Sequence, residues 1–324
     1  MLNNQKLGIL FLVAAILVGS FGIAAAQEDI EVGFIPMTLS NEYFIAMING
    51  AEQRAEVYGI DITVQGPQTH ADSLKQLEQM ENMISKGVDA ICIVPSSSEA
   101  LAPALLKAQE AGIPVINIDT QFSKEVLERA GLEPIPYIGT DNYDGALSAG
   151  KLALDLLDGE GEVAILEGIS GQQNTRDRKQ GFIDGMEGKL EVVASQTADW
   201  EVEKGYNATQ NMLQANPELD LIFGSNDGMA IGAYRALVEA GKAEDVYVIG
   251  YDAVPAALES VKLGEMHATI AQFPAEMGKR GIDAAMKIIN GEEISLSLEE
   301  STLTKTITED NAEEMIGYLN HYID

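Results

Sequence analysis

The chain has 324 residues with 51 acidic and 20 basic side chains, a net charge of −31, and a single cysteine. So acidic a surface excludes nucleic acid and anionic membrane faces as partners, because both need basic patches, and one thiol makes no internal disulfide. The length suits two lobes, each large enough to bury its own core.

In chain order, Lys6 leads into the apolar stretch 7–26, which closes on Ala24, Ala25 and Ala26. These are the parts of a secretory signal, with cleavage expected after Ala26. An uncleaved membrane anchor is the alternative that its length allows. No second apolar run of spanning length follows, so the remainder is expected to be soluble.

A strand at 32–35 passes through Met37, Ser40 and Asn41 into a helix at 44–58 that opens on Tyr43 and Phe44. Strand 60–64, helix 73–85, strand 90–94 and helix 100–111 follow, with Cys92 inside the third strand as a small core side chain. Strand 115–118 ends on Asp119, Thr120 and Gln121; strand 137–139 ends on Thr140, Asp141 and Asn142, ahead of a helix at 146–157. In the second half, strand 163–166 and a helix at 178–187 enclose Arg176, Asp177 and Arg178. Strand 192–194 leads to Trp200 and helix 203–215. Strand 221–223 ends on Asn226 and Asp227 before helix 229–240, strand 246–249 on Tyr251 and Asp252, and strand 268–270 on Gln272 before helix 275–289.

Strict alternation with short turns predicts an α/β fold of two doubly wound lobes, each a parallel sheet between helices with right-handed crossovers. Gly112 and Pro114 punctuate one helix-to-strand turn, and Ala240-Gly241 repeats the device in the second half.

Several chemistries find no support. Gly159-x-Gly161 precedes a strand where a dinucleotide turn follows one. There is no phosphate-binding Gly-Lys-Ser/Thr loop and no Gly-x-Ser-x-Gly nucleophile turn. His70, His267 and His321 lie too far apart for a zinc motif. Neither a metal nor a cofactor is expected, and no catalytic pair is visible, so an enzyme is the least supported class.

What does recur is a polar or aromatic residue at each strand end. Carboxylates, amides, an Arg and flat rings at sheet edges suit a neutral, hydroxyl-rich ligand. Some of these residues are helix caps instead, and Asp141, Asn142 and Asp227 look most like caps.

Segments 32–51, 113–121, 167–182, 194–200, 223–230, 248–252 and 268–274 resemble, in order and spacing, the ribose-binding-protein-like family of periplasmic sugar-binding proteins that serve ABC importers. The resemblance covers nearly all of the chain beyond the signal. It implies the type I periplasmic binding protein fold, with a hinge of three crossings near Thr140, Gln272 and Ser301. The lobes would then be 27–140 with 273–300, and 141–272 with 301–324. It implies ligand contacts from Asn41, Tyr43, Phe44 and Asp119 on the first lobe, and from Arg176, Trp200, Asn226, Tyr251, Asp252 and Gln272 on the second. Tyr43, Trp200 and Tyr251 stand where the ribose protein has Phe. Met37 replaces a Ser and Thr120 an Arg, which leaves ribose, another pentose, a hexose or a polyol open. The implied function is an exported, monomeric protein that captures a monosaccharide or polyol and delivers it to a membrane ABC permease. A sensor subunit that presents the sugar to a chemoreceptor or kinase is the alternative. The acidity reads as a solubility device, in a saline habitat or otherwise, or as a docking face for a basic partner.

Overall fold

Strand tips and helix starts alternate along both halves of a computed structural model that describes residues 30–294 and 303–323. The first half contains β1 (Glu31–Ile35), α1 (Glu42–Tyr58), β2 (Asp61–Val64), α2 (Ser73–Lys86), β3 (Ala90–Ile93), α3 (Ser98–Glu110), β4 (Val115–Ile118), α4 (Lys124–Arg129) and β5 (Tyr137–Ile138). Its strands form an all-parallel sheet of order β2-β1-β3-β4-β5. This is the doubly wound order, with the reversal beside β1 and β3. All of β3 is buried, as a strand covered on both faces must be. Cys92 lies fully inside it, and burial pushes its thiol pKa up, out of reactive range.

The second half repeats the plan. It contains α5 (Asn142–Leu156), β6 (Glu162–Glu167), α6 (Gln173–Gly185), β7 (Glu191–Thr197), α7 (Val202–Ala215), β8 (Leu221–Gly224), α8 (Asp227–Ala240), β9 (Tyr247–Asp252), α9 (Pro255–Lys262) and β10 (Ala268–Ala271). After α10 (Pro274–Ile289) come β11 (Lys305–Ile307) and α11 (Ala312–Ile323). The sheet order is β11-β10-β9-β8-β6-β7, parallel except for the antiparallel edge strand β11.

The chain returns to the first half through α10, whose Met277, Ile282 and Ala285 share a core with Val32, Phe34 and Met47. Its approach to α1 is close enough to require glycine on both sides. A Cβ on Gly50 would stand 2.2 Å from Ala275 O, and one on Gly278 2.0 Å from Met47 O. The last helix, α11, buries Ala312, Met315 and Leu319 in a core of the second half. Its far end receives hydrogen bonds from Asn49 and Gln53 of α1 at the carbonyls of Tyr322 and His321.

All ten expected strands and eight expected helices have counterparts. Four further elements escaped the periodic pattern: α4 and α9, with six and eight residues, β11 with three, and α11. The first three of these contain too few residues to display a period. The expected signal at 1–26 and the crossing near Ser301 lie outside the described residues. Among the described residues no helix is long and apolar enough to cross a membrane.

Candidate functional site

Asn41 opens the first wall. Its side chain caps α1 by accepting from Tyr43 N at 2.9 Å, which fixes where the rings of the first turn point. Tyr43 and Phe44 meet edge to face with centroids 5.1 Å apart, and the Tyr43 hydroxyl donates to Asp119 Oδ1 at 2.9 Å. Asp119 stands at the tip of β4 with φ 61°, a left-handed conformation. A buried Asn117 shapes this turn, donating to Thr120 O and accepting from Phe122 N, both at 2.8 Å. The second carboxylate oxygen of Asp119 accepts from Thr120 Oγ1 at 3.1 Å.

The second wall centres on Arg178 of α6. Its Nε donates to Asn142 Oδ1 at 2.8 Å, and its Nη1 donates to Ser225 O at 2.7 Å and to Asp252 Oδ1 at 3.2 Å. The guanidinium lies over two rings, 3.9 Å from the Tyr251 centroid and 5.4 Å from that of Trp200. Gln272 donates to Asp252 Oδ1 at 2.7 Å, while its own buried Oε1 has no hydrogen-bond partner among the described residues. Trp200 donates from Nε1 to Gln172 Oε1 at 2.8 Å. Its ring lies so close over Gly168 that a Cβ there would fall 1.9 Å from Trp200 Cζ2.

Asp119, Trp200 and Asp252 all have positive φ, 61°, 68° and 116°. Each such non-glycine residue costs roughly 1–3 kcal/mol. Strain at three facing strand ends marks them as held in place by the surrounding structure.

Electrostatically the site pairs two buried carboxylates with one guanidinium. Burial raises the pKa of Asp119, and raises that of Asp252 to about 6, with Arg178 acting in the opposite sense on both. Burial also pushes the Tyr43 hydroxyl well above its usual range, reinforced by the Asp119 charge, so Tyr43 remains a donor. Burial works against the charge of Arg178, but Asp252, Tyr251, Asp119 and Tyr43 together outweigh it and raise its pKa, so it stays cationic.

Eight of the ten residues singled out from the sequence line one cavity between the halves: Asn41, Tyr43, Phe44 and Asp119 face Trp200, Asn226, Asp252 and Gln272. About 330 Å³ of space lies between the atoms around it, and the centre of a water fits in only about 30 Å³. The halves thus stand nearly shut. Met37, Thr120 and Asn174 complete the lining together with His70 and Arg178.

Two expected contacts fall elsewhere. Arg176 is exposed and bonds Gly171 O and Gln173 Oε1. The helix begins at Gln173, five residues before the expected 178, and residues two apart on a helix face nearly opposite sides. Arg178 is therefore the inward cation. Tyr251 is fully buried behind it, supporting the guanidinium from the side away from the cavity.

The roles expected for the Asn226-Asp227 pair are exchanged in part. Asn226 is the helix cap, accepting from Met229 N at 2.9 Å, although it also lines the cavity. Asp227 is fully buried and accepts from Val254 N and Thr269 Oγ1, tying the β8 tip to β9 and β10. Asp141 caps α5 as expected, while Asn142, expected as a cap, instead accepts from Arg178. His70 and Asn174 went unrecognised in the sequence, since neither follows a strand directly.

Residues 32–293 match the family model of the periplasmic binding protein domain. The chain belongs to that family. The D-ribose/D-allose-binding protein of Pseudomonas aeruginosa is 36% identical over 272 residues, which span 83% of this chain and 85% of the relative. The ribose import binding protein of Escherichia coli is 35% identical over 298 residues, 90% of this chain and 95% of that one. In structure, a periplasmic solute-binding protein of an ABC transporter from Actinobacillus succinogenes with bound D-allose superposes with a TM-score of 0.82 at 39% identity. The match covers 88% of this chain and 99% of that protein. The fold is the type I periplasmic binding protein fold, two doubly wound lobes on a hinge, and the family is one of binding proteins and not of enzymes.

Proposed function

We infer that the chain captures one monosaccharide or polyol in the cavity between its lobes and delivers it to an ABC permease from the outer side of the membrane. The observation that carries this reading is the composition of the closed cavity: acceptors Asp119, Asp252 and Gln272, donors Arg178 and Asn226, and the rings of Tyr43, Phe44 and Trp200. Hydroxyl groups both donate and accept, so they match such a mixed set, and the C–H faces of a sugar ring pack on aromatic planes. The relatives named for D-ribose and D-allose, and a solute-binding protein from Bacillus halodurans holding myo-inositol, support the ligand class.

The lobes are taken as 27–140 with 273–300, and 141–272 with 301–324, moving as bodies about the three crossings. The packing of α10 on α1 supports the first of these. The protein is taken to work as an exported monomer, with 1–26 as its signal. A thermal-shift screen of the mature chain against D-ribose, D-allose, other pentoses and hexoses, and inositols tests the reading. A ligand at 100 times its Kd adds about 2.7 kcal/mol of stability. No shift with any sugar or polyol removes the ligand class.

A further inference from the structure

Gln172 stands at the cap position of α6, yet its side chain makes no capping bond. The amide is turned away from the helix instead. Its Oε1 accepts from Trp200 Nε1 at 2.8 Å within its own lobe, and its Nε2 donates to Ser96 O of the opposite lobe at 3.0 Å. An indole nitrogen only donates and a carbonyl only accepts, so the two bonds together admit one orientation of the amide. Half a turn would set donor against donor at Trp200 and acceptor against acceptor at Ser96.

The far anchor of this bridge is held firmly. Ser96 lies in the loop between β3 and α3, where the fully buried Gln76 of α2 accepts from both Ser96 N and Ser96 Oγ at 2.9 Å. The same side chain donates to Pro36 O at 3.1 Å and to Val94 O at 2.7 Å. All four hydrogen-bonding places of the Gln76 amide are thus filled, and Ser96 is tied to the tip of β1, beside the cavity-lining Met37. On the near side Trp200 stands at φ 68° with its ring close over Gly168. Gln172 itself is buried, so losing either partner in the closed state leaves a polar group unsatisfied.

We propose that Gln172 is a positioning residue for ligand capture: it seats the Trp200 wall and couples that seat to closure, because closure is what brings Ser96 O to its Nε2. The proposal rests on the cavity being the sugar site. Two further contacts cross the cleft, His70 Nδ1 to Glu201 Oε1 at 3.1 Å and Asn174 Nδ2 to Thr120 Oγ1 at 3.4 Å. Of the three, only Gln172 also hydrogen-bonds a ring of the cavity wall. With the lobes apart, the amide keeps the constraint from Trp200 alone. Closing adds the constraint from Ser96, so a seated ring and a closed cleft stabilise one another. A ligand packed on the ring thereby favours closure, and breaking the bridge shortens its stay.

The test measures sugar affinity by calorimetry for wild type, Gln172→Met, Trp200→Phe and the double variant. Where Trp200 is present, it also follows the dissociation rate and the quenching of tryptophan emission by acrylamide. Methionine keeps the length of Gln172 without its amide, and phenylalanine keeps a ring without the N–H. Gln172→Met is expected to bind roughly 2- to 10-fold more weakly, the scale of one neutral hydrogen bond, with most of the change in the dissociation rate. Its Trp200 emission is expected to be quenched more readily than that of wild type. Trp200→Phe is expected to cost less affinity in the Gln172→Met background than in wild type, because the bond it removes is already gone. Unchanged affinity in Gln172→Met, or costs that add, overturn the proposal. Should Gln172→Met fail to fold, Gln172→Ala takes its place and is judged by the same outcomes. If no sugar binds wild type, the ligand reading falls alone. Gln172 is then judged on quenching: higher in the variant than in wild type supports the seat, and equal in both overturns it.

Discussion

Arg178 lies over the Tyr251 ring, its Cζ 3.9 Å from the centroid, while its Nη1 reaches Asp252, the residue after Tyr251. One backbone turn thus supplies both the plane under the guanidinium and the carboxylate beside it. Replacing Arg178 leaves Asp252 buried without its counter-charge, and breaking a buried pair in this way costs about 3–5 kcal/mol. Arg178→Met is expected to lower the unfolding free energy by that scale in urea titrations and to abolish sugar binding. Arg178→Lys recovers only part of either, because an ammonium cannot span Asn142, Ser225 and Asp252 in one plane. Full binding in Arg178→Met removes the residue from the site.

Asp252 sets a second expectation. Its pKa rises from the ordinary 3.8 to about 6 on folding, chiefly through burial. The folded state therefore binds more protons than the unfolded state between these values, so stability contributed here is greatest in acid and falls as pH climbs toward 6. A tenfold difference in proton affinity between the two states corresponds to about 1.4 kcal/mol. Asp252→Asn is expected to flatten the stability profile between pH 4 and 6, as measured by unfolding free energy at half-unit steps. An unchanged slope assigns the proton to Asp119 or Asp227, whose pKa values burial also raises.

Trp200 is the only tryptophan in the chain, so its fluorescence reports the cavity without interference. A saturating sugar is expected to change its emission. Gly168→Ala places a methyl group 1.9 Å from the present position of Trp200 Cζ2, which forces the ring off its seat. The expected results are shifted emission in the free protein and at least about tenfold weaker binding, the effect of about 1.4 kcal/mol. Wild-type emission and affinity together contradict the placement of the ring as a wall.

The C-terminal helix α11 anchors in one lobe and touches the other. Leu319 is 4% exposed in the second lobe's core, and Lys279 of α10 donates to the Tyr322 hydroxyl at 2.7 Å. Leu319→Ala is expected to destabilise the protein by about 2–5 kcal/mol. Lys279→Ala leaves the core intact, so it is expected to cost under about 1 kcal/mol while altering the affinity for sugar through the hinge side. Equal effects of both on stability contradict the division of the helix between the lobes.

The strand ends were legible because a buried strand must stop being apolar where it leaves the sheet, and that break is visible at Asp119, Asn226 and Asp252 without any structure. What the sequence hid was phase. Arg176 and Arg178 are indistinguishable until the start of α6 is known, and moving that start from 178 to Gln173 decides which one points inward. Asn226 and Asp227 pose the same problem at a helix cap, where one residue bonds the helix and its neighbour the sheet. His70 was illegible for another reason: its partner Glu201 lies 131 residues away in the other lobe, and only closure brings the two together.

The central claim, a sugar held between carboxylates of opposite lobes, is tested most directly by calorimetric titration of wild type, Asp119→Ala and Asp252→Ala with the sugar selected by the screen. The expected result is one molecule bound per chain in wild type, with micromolar or tighter affinity, and loss of about 100-fold or more in each variant, a scale set by hydrogen bonds to charged groups. Undiminished affinity in either variant contradicts a site closed from both sides.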